Sequence, residues 1–314
     1  MLASLLVSVT VLFVVLRVLG NPVYSLISIG ASQADIDALS ARLGMDQPIY
    51  VQFGNYLAQL ARFDLGNSIT SHLPVAPELL HRLNVTLPLT LISFVLSVVI
   101  ALPGGFFAGW KSGTWYGTAF SALTQLGVAI PVFWVGILLI RTVSLQWGIL
   151  PAGGFPSAGW GTPGEALQSL ALPVLTIAIV SGSDLARYVR SATLDVLGQN
   201  YLTMARSMGQ SFPQAILRHG LRNGIVPVIS ILAIQLATTF VGAVLIETVF
   251  ALPGLGGLLL AGIKEQDFTT VQGVLLFSTV MVLVLGFLAD LAQRLLDPRL
   301  RDSVSGNRRA RAAA

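Results

Sequence analysis

Five long apolar stretches of the chain carry no charged residue. They lie between Arg82 and Lys111, Lys111 and Arg141, Glu165 and Asp184, Arg222 and Glu247, and Asp267 and Asp290. A bilayer-spanning helix needs about 20 mostly apolar residues at about 1.5 Å rise each. These runs therefore predict spanning helices near 87–109, 117–141, 169–190, 226–249 and 270–290, and the apolar run from Leu2 to Leu19 predicts a sixth ahead of them. Composition agrees. Of 314 residues, 54% are hydrophobic and 10% charged, against about 25% charged in an average soluble domain. That surface cannot coat a water-soluble globule, which excludes an ordinary cytosolic enzyme, a disordered chain and a nucleic-acid-binding domain. The net charge of +4 reads as membrane orientation rather than an affinity for nucleic acid. With no cysteine there is no disulfide framework and no thiolate chemistry.

The first span is short. Leu2 to Leu16 is fifteen residues before Arg17, roughly 22 Å. No basic residue precedes it, and a signal peptide's basic start and small-residue cleavage site are missing. These traits predict that the native start lies upstream of Met1 or is misassigned. Arg17 is placed to snorkel to the outer interface.

Lys and Arg set the orientation. Twelve of the eighteen fall on one side: Lys111, then Arg187 to Arg222, then Arg294 to Arg311. Five fall on the other: Arg42, Arg62, Arg82, Arg141 and Lys264. The richer side is cytoplasmic, so both termini are predicted there. The expected chain is an all-α membrane protein with six transmembrane helices. Residues 1–19 form the first span and 20–86 a small extracytoplasmic subdomain between helices 1 and 2. Residues 87–296 form a five-helix core with a cytoplasmic loop at 191–225, and 297–314 a tail disordered beyond Arg301. No internal repeat is visible.

Catalytic motifs are absent. Neither Lys111 nor Lys264 follows a glycine, so there is no phosphate-binding G-x-x-x-x-G-K-[ST] loop. His72, His81 and His219 are scattered, so no metal centre is expected. Asp184, Glu247 and Asp290 lie toward span ends rather than at mid-depth, which favours packing roles over a proton relay. Gly104, Gly105 and Gly109 lie together and predict close helix packing. Pro88, Pro103, Pro131 and Pro173 are either kinks or helix starts.

The cytoplasmic loop is more informative. Tyr201, Met204, Ala205, Met208, Phe212, Ala215 and Ile216 recur at steps of three and four, the stripe of an amphipathic helix. Gly209 interrupts it as a turn would, and Arg218 and Arg222 follow four apart. Such a stripe either lies on a membrane surface or docks in a partner's groove.

Ordered fragments then carry a resemblance. Ala205-Arg206-Ser207-Met208-Gly209 followed by Leu217-Arg218-His219-Gly220-Leu221-Arg222-Asn223-Gly224 resembles the EAA loop of ABC-importer permeases. More closely, it is similar to the peptide/nickel group, the DppB/OppB type. Asp64-Leu65-Gly66-Asn67-Ser68, Thr86-Leu87, Ile130-Pro131, Leu150-Pro151-Ala152-Gly153-Gly154, Leu172-Pro173, Glu247-Thr248-Val249-Phe250, Pro253-Gly254-Leu255-Gly256 and Leu296-Asp297-Pro298 agree in order. Two places depart from the pattern: Thr203-Met204 stand where the general motif has Glu and Ala, and Leu19-Gly20-Asn21-Pro22 where the group has Pro-Gly-Asp-Pro.

The resemblance implies a type I importer permease in a bacterial inner membrane, forming half of a pore with a homologous second permease. It implies one or two cytoplasmic ABC ATPase subunits holding ATP and Mg, no cofactor in this chain, and an extracytoplasmic solute-binding protein. The helix around Ala205–Phe212 becomes the coupling helix of an ATPase-coupling loop that also holds Tyr201 and Met204, with Arg206 at its rim and Arg218 and Arg222 pairing with partner carboxylates or phospholipid headgroups. Asp64, Asn67 and Ser68 become outer contacts, although Asp64-Leu65-Gly66 also reads as a packing turn, and Glu247 either an outer gate or a packing residue. The cargo is di- or oligopeptides, with nickel, glutathione or opines as alternatives. A stand-alone ion-coupled carrier is the rival from another class, and it requires a mid-membrane charge that the sequence lacks.

Overall fold

The computed structural model describes residues 2–19, 33–42 and 46–296. The tail at 297–314, the segment 20–32 of the expected subdomain and the side chain of Arg222 lie outside the described residues. The elements are α1 (Leu2–Leu19), α2 (Gln33–Arg42), α3 (Ile49–Ala61), α4 (Val75–Trp110), α5 (Trp115–Ala129) and α6 (Val132–Leu139). They continue as α7 (Pro163–Leu197), α8 (Asn200–Ser207), α9 (Phe212–Ala215), α10 (Leu221–Val249), α11 (Leu255–Lys264) and α12 (Phe268–Leu296). Wider π-helical turns at Ile140–Gln146 and Ile216–Gly220 extend α6 and α9.

Four described helices are long and apolar enough to cross a membrane: Val75–Trp110, Pro163–Leu197, Pro227–Val249 and Phe268–Leu291. The predicted straight span at 117–141 is instead two helices bent by 100°. Pro131 causes the break. Proline lacks an N–H and pushes the residue before it out of the helical region, and Ile130 is extended at φ −88, ψ 129. Pro88, Pro103, Pro173 and Pro227 by contrast lie within unbroken helices. The expected count of six needs both the bent pair and α1, whose apolar stretch is Ala3–Val15. Helix α4 also begins well before residue 87, at Val75.

Helices α4 and α7 run side by side in the same direction, with Ser97 against Gly182 and Gly109 against Thr193, and α10 returns antiparallel to α7, with Gly224 beside Val196 and Gln235 bonded to Ser181, so the bundle has two ends. The loop end carries residues 198–220. The arm end carries residues 64–74 and α11.

The centre of the fold is the α4–α7 pair, the most extensive helix contact. Its surface on α4 is a stripe of small residues: Thr86, Thr90, Ser93, Ser97, Ala101 and Gly105, all buried. Small side chains let two helices approach closely without a hydrophobic driving force between them. At Gly105 an added methyl would strike the Ala186 carbonyl and Val189, and at Gly109 Thr193, so the predicted glycine packing is observed there. Gly242, by contrast, has open space beside it. Buried hydroxyls close onto their own helix: Thr90 and Ser97 donate to the carbonyls of Thr86 and Ser93, each at 2.7 Å. The Ser93 hydroxyl, buried on the same stripe, is left without a hydrogen-bond partner.

Candidate functional site

At the loop end, α8 leaves α7 after Gly198 and turns back through Gly209. Gly209 sits at φ +88, a left-handed conformation that costs other residues about 1–2 kcal/mol. Its N–H donates to the Arg206 carbonyl at 3.0 Å, and that of Gln210 to the Ala205 carbonyl at 3.2 Å. This pair of bonds closes a helix end in a Schellman motif. Ser211 and Gln214 then form a capping box that starts α9, a Ser-x-x-Gln signal readable in the sequence.

The predicted apolar stripe divides into two faces. Ala205, Ala215 and Ile216 turn inward with Leu202. Leu202, Ala205 and Ala215 form a small core against Val196, Leu197 and Tyr201. Met204 and Met208 face outward, 65% and 66% exposed, with Arg206 exposed between them. Phe212 does neither: it stacks on Trp110 at the end of α4, with ring centres 5.8 Å apart and planes at 19°. The Lys111 ammonium lies over the Trp110 ring at 4.2 Å, and the Arg206 guanidinium over the Phe212 ring at 5.9 Å. The ring stack and its two cation contacts thus tie the turn to α4. Arg218 is exposed on the π-helical turn.

The arm end is built from distant pieces of chain. Asp64 accepts the Gly66 N–H at 2.9 Å, so it closes a local turn, as its packing reading expects. Asn67 is exposed and pairs through its backbone with Pro74. The hydroxyl of Ser68 donates to Asp267 at 2.6 Å. Asp267 is buried at 3% exposure and accepts three further bonds: the Ile69 N–H at 3.1 Å, the Thr270 N–H at 3.1 Å and the Thr270 hydroxyl at 2.6 Å. Burial, the largest single influence, pushes its carboxyl upward, but the Ser68 and Thr270 hydroxyls and the two backbone N–H groups together hold it below its usual value.

Glu247 is fully buried. It accepts the Gly256 N–H at 2.7 Å, while the Leu255 N–H donates to the Thr86 hydroxyl at 3.0 Å. An added methyl at Gly254 would overlap the Glu247 carboxylate, and one at Gly256 the Val244 carbonyl. Gly153 approaches the Phe250 backbone just as closely, and the Gly154 N–H donates to the Phe250 carbonyl at 2.8 Å. Thr86, Gly153-Gly154, Glu247-Phe250 and Gly254-Gly256 were separate fragments in the sequence. In the fold they meet as one junction.

A family model described as the binding-protein-dependent transport system inner membrane component matches residues 101–302. The chain belongs to this family. It is 35% identical over 296 residues, 92% of each chain, to a protein named as a peptide transport system permease of Brucella abortus (strain 2308). It is 31% identical over 285 residues, 84% of each chain, to the dipeptide transport system permease DppB of Escherichia coli (strain K12). Among solved structures it resembles the inward-facing MetNI methionine ABC transporter with a TM-score of 0.55 at 21% identity, covering 70% of this chain and 96% of that one. An amino acid ABC transporter follows with a TM-score of 0.54 at 16% identity, covering 70% and 94%. The fold is that of a type I ABC-importer permease.

Among the described residues no cluster of His, Asp or Glu is placed to hold a metal. Asp184, one of the three charges that the sequence set toward span ends, pairs with Arg187 at 2.7 Å. Sequence reasoning missed Asp267, Leu202 and Trp110. An Asp three residues before a Thr and just ahead of an apolar run, Asp267-Phe-Thr-Thr270, is a helix-start signal. Nothing in the sequence links it to Ser68.

Proposed function

We propose that this permease forms half of the pore of a peptide importer. It pairs with a homologous permease, receives peptide from an extracytoplasmic binding protein, and takes its drive from cytoplasmic ABC ATPases. The loop end faces the cytoplasm, and both termini lie on that side. One observation carries the reading. The turn at Gly209 presents Met204, Arg206 and Met208 outward from a helix whose opposite face is fixed by Leu202 and Ala205 and whose following turn is stacked on Trp110. Methionine is unbranched and adaptable, suited to a partner's groove, and a rigid backing transmits force rather than absorbing it. The ATPases closing on nucleotide then shift the permease between inward- and outward-open populations. The peptide and dipeptide permeases among its relatives support the cargo class.

The test has two arms. Purification of the tagged chain from its native membrane, followed by mass spectrometry, is expected to recover a second permease and at least one ATPase. In cells, Gly209→Val is expected to leave the chain in the membrane and abolish dipeptide uptake. Uptake at the wild-type rate would remove the coupling assignment. A chain recovered alone that moves dipeptide in liposomes without ATP would remove the importer reading itself.

A further inference from the structure

Helix α11 is held at both ends, by unlike attachments, and only the second involves the arm. At its start the Gly256 N–H is bound to Glu247 and the Leu255 N–H to Thr86. Glu247 and Thr86 are fully buried, and Gly254 and Gly256 leave no space for displacement. After its end, Asp267 accepts four hydrogen bonds of two kinds. Two come from Thr270, one turn into α12. They satisfy the start of that helix and survive any motion of the arm. The other two come from the arm itself, from Ser68 and Ile69. Beside this attachment the arm and α11 do not pack solidly. A cleft of about 590 Å³ separates them, lined by Ser68, Ser71 and Glu78 on one side and Ala261, Glu265 and Asp267 on the other. Water in that cleft can replace the two arm bonds as they break, whereas the buried start of α11 has no such exchange open to it.

We propose that Asp267 is a positioning residue that sets the α11–α12 junction according to where the arm stands. With the arm docked, its carboxylate is saturated and the junction is fixed. With the arm displaced, Asp267 keeps its Thr270 bonds, loses Ser68 and Ile69, and α11 is free to swing about its Glu247 end. The arm thereby becomes the element through which a protein bound at the arm end governs opening of the pore. This rests on the importer reading above.

The experiment uses the complex purified from native membranes with its ATPases and binding protein, reconstituted in proteoliposomes and given dialanine. Its readout is ATP hydrolysis with and without binding protein. Ser68→Ala removes one arm bond to a charged acceptor and leaves the Thr270 bonds alone. A bond of that kind shifts an equilibrium by roughly tenfold or more. The expected result is a rise in hydrolysis without binding protein and a fall in the stimulation ratio of roughly that size. Ser68→Thr, which keeps the hydroxyl, is expected to restore the ratio. Thr270→Val is expected to lower thermal stability with the ratio unchanged, which separates positioning from folding. Because the chain has no cysteine, Ser71→Cys and Glu265→Cys on opposite walls of the cleft can be joined by a bis-maleimide. The joined form is expected to stay assembled and stop transporting.

A Ser68→Ala ratio equal to wild type, or full transport by the cross-linked form, overturns the proposal. A wild-type complex that no binding protein stimulates overturns the importer reading instead, so the two failures are distinct.

Discussion

Gly209 and Gly256, at opposite ends of the bundle, are glycines for opposite reasons. At the loop end Gly209 supplies a torsion: φ is +88, and nothing lies within 4 Å of where its methyl would be. At the arm end Gly256 supplies space, because a methyl there would overlap the Val244 carbonyl. The arm end takes left-handed torsions from glycine too, at Gly66 and Gly154 with φ +77 and +82, and also from other residues: Phe63, His72, Ala251 and Gln266 at φ +58, +60, +49 and +55. Leu252 and Asp267 complete those caps by donating to the Glu247 carbonyl at 2.9 Å and the Gly262 carbonyl at 2.8 Å. The loop end is thus a local device, finished within a few residues of sequence. The arm end is a packed one, whose torsional strain is held by contacts reaching from Ser68 to Asp267. A surface that must meet a partner benefits from a turn with room around it. A junction that must hold several segments together benefits from backbones in contact.

The same substitution at both glycines sharpens that contrast. Gly256→Ala is expected to cost about 3 kcal/mol or more, because overpacking against a backbone that cannot yield costs about 1–3 and the Glu247 bond is lost with it. Thermal unfolding in detergent would read this as a large fall in Tm. A wild-type Tm would mean the junction is looser than described. Next in size, Glu247→Ala is expected to cost about 2–4 kcal/mol through the unsatisfied Gly256 N–H and the vacated volume, with Glu247→Gln recovering most of it because an acceptor oxygen remains. If Gln is as damaging as Ala, charge rather than hydrogen bonding holds the turn.

Gly209→Ala is expected to cost only about 1 kcal/mol, the torsional term alone. A cost equal to that at Gly256 would erase the distinction. The smallest effect belongs to Ala251→Gly, expected to gain up to about 1 kcal/mol by relieving a left-handed alanine. A loss there would show that the Ala251 methyl makes contacts worth more than its strain. The Asp267 clamp adds a pH check. Its carboxyl is held below the usual value, so its contribution is complete above the unfolded carboxylate pKa of about 3.9 and fades as pH falls through the lower folded value. Exchange protection of the Ile69 amide is therefore expected to be unchanged between about pH 5 and pH 8, after correction for the intrinsic rate.

Much of this was legible beforehand. Charge-free runs gave the long helices, because burying charge in hydrocarbon is costly whatever the tertiary arrangement. Gly209 was legible as a turn, since that torsion is a property of one residue. The bend at Pro131 was not told apart from Pro88, Pro103 and Pro173. All four remove an N–H, but only at Pro131 does the chain turn by 100°, and the packing around each helix decides whether it stays continuous. The stripe of Tyr201 to Ile216 was read as one face. In the fold Ala205 points in with Leu202 and Met204 points out, because neighbouring residues on one helix lie about 100° apart.

The sequence by itself therefore determined where the long apolar helices lie and, through fragments in fixed order, which family the chain joins. These depend on local torsion, local hydropathy and order along the chain. The tertiary structure alone decided that Thr86, Gly153, Glu247 and Gly256 form one junction and that Ser68 binds Asp267. Those pairings rest on backbones and hydroxyls brought within 3 Å of each other from far apart in the chain. No periodicity encodes such a meeting. It follows from how closely the small-residue faces of α4 and α7 allow the helices to pack.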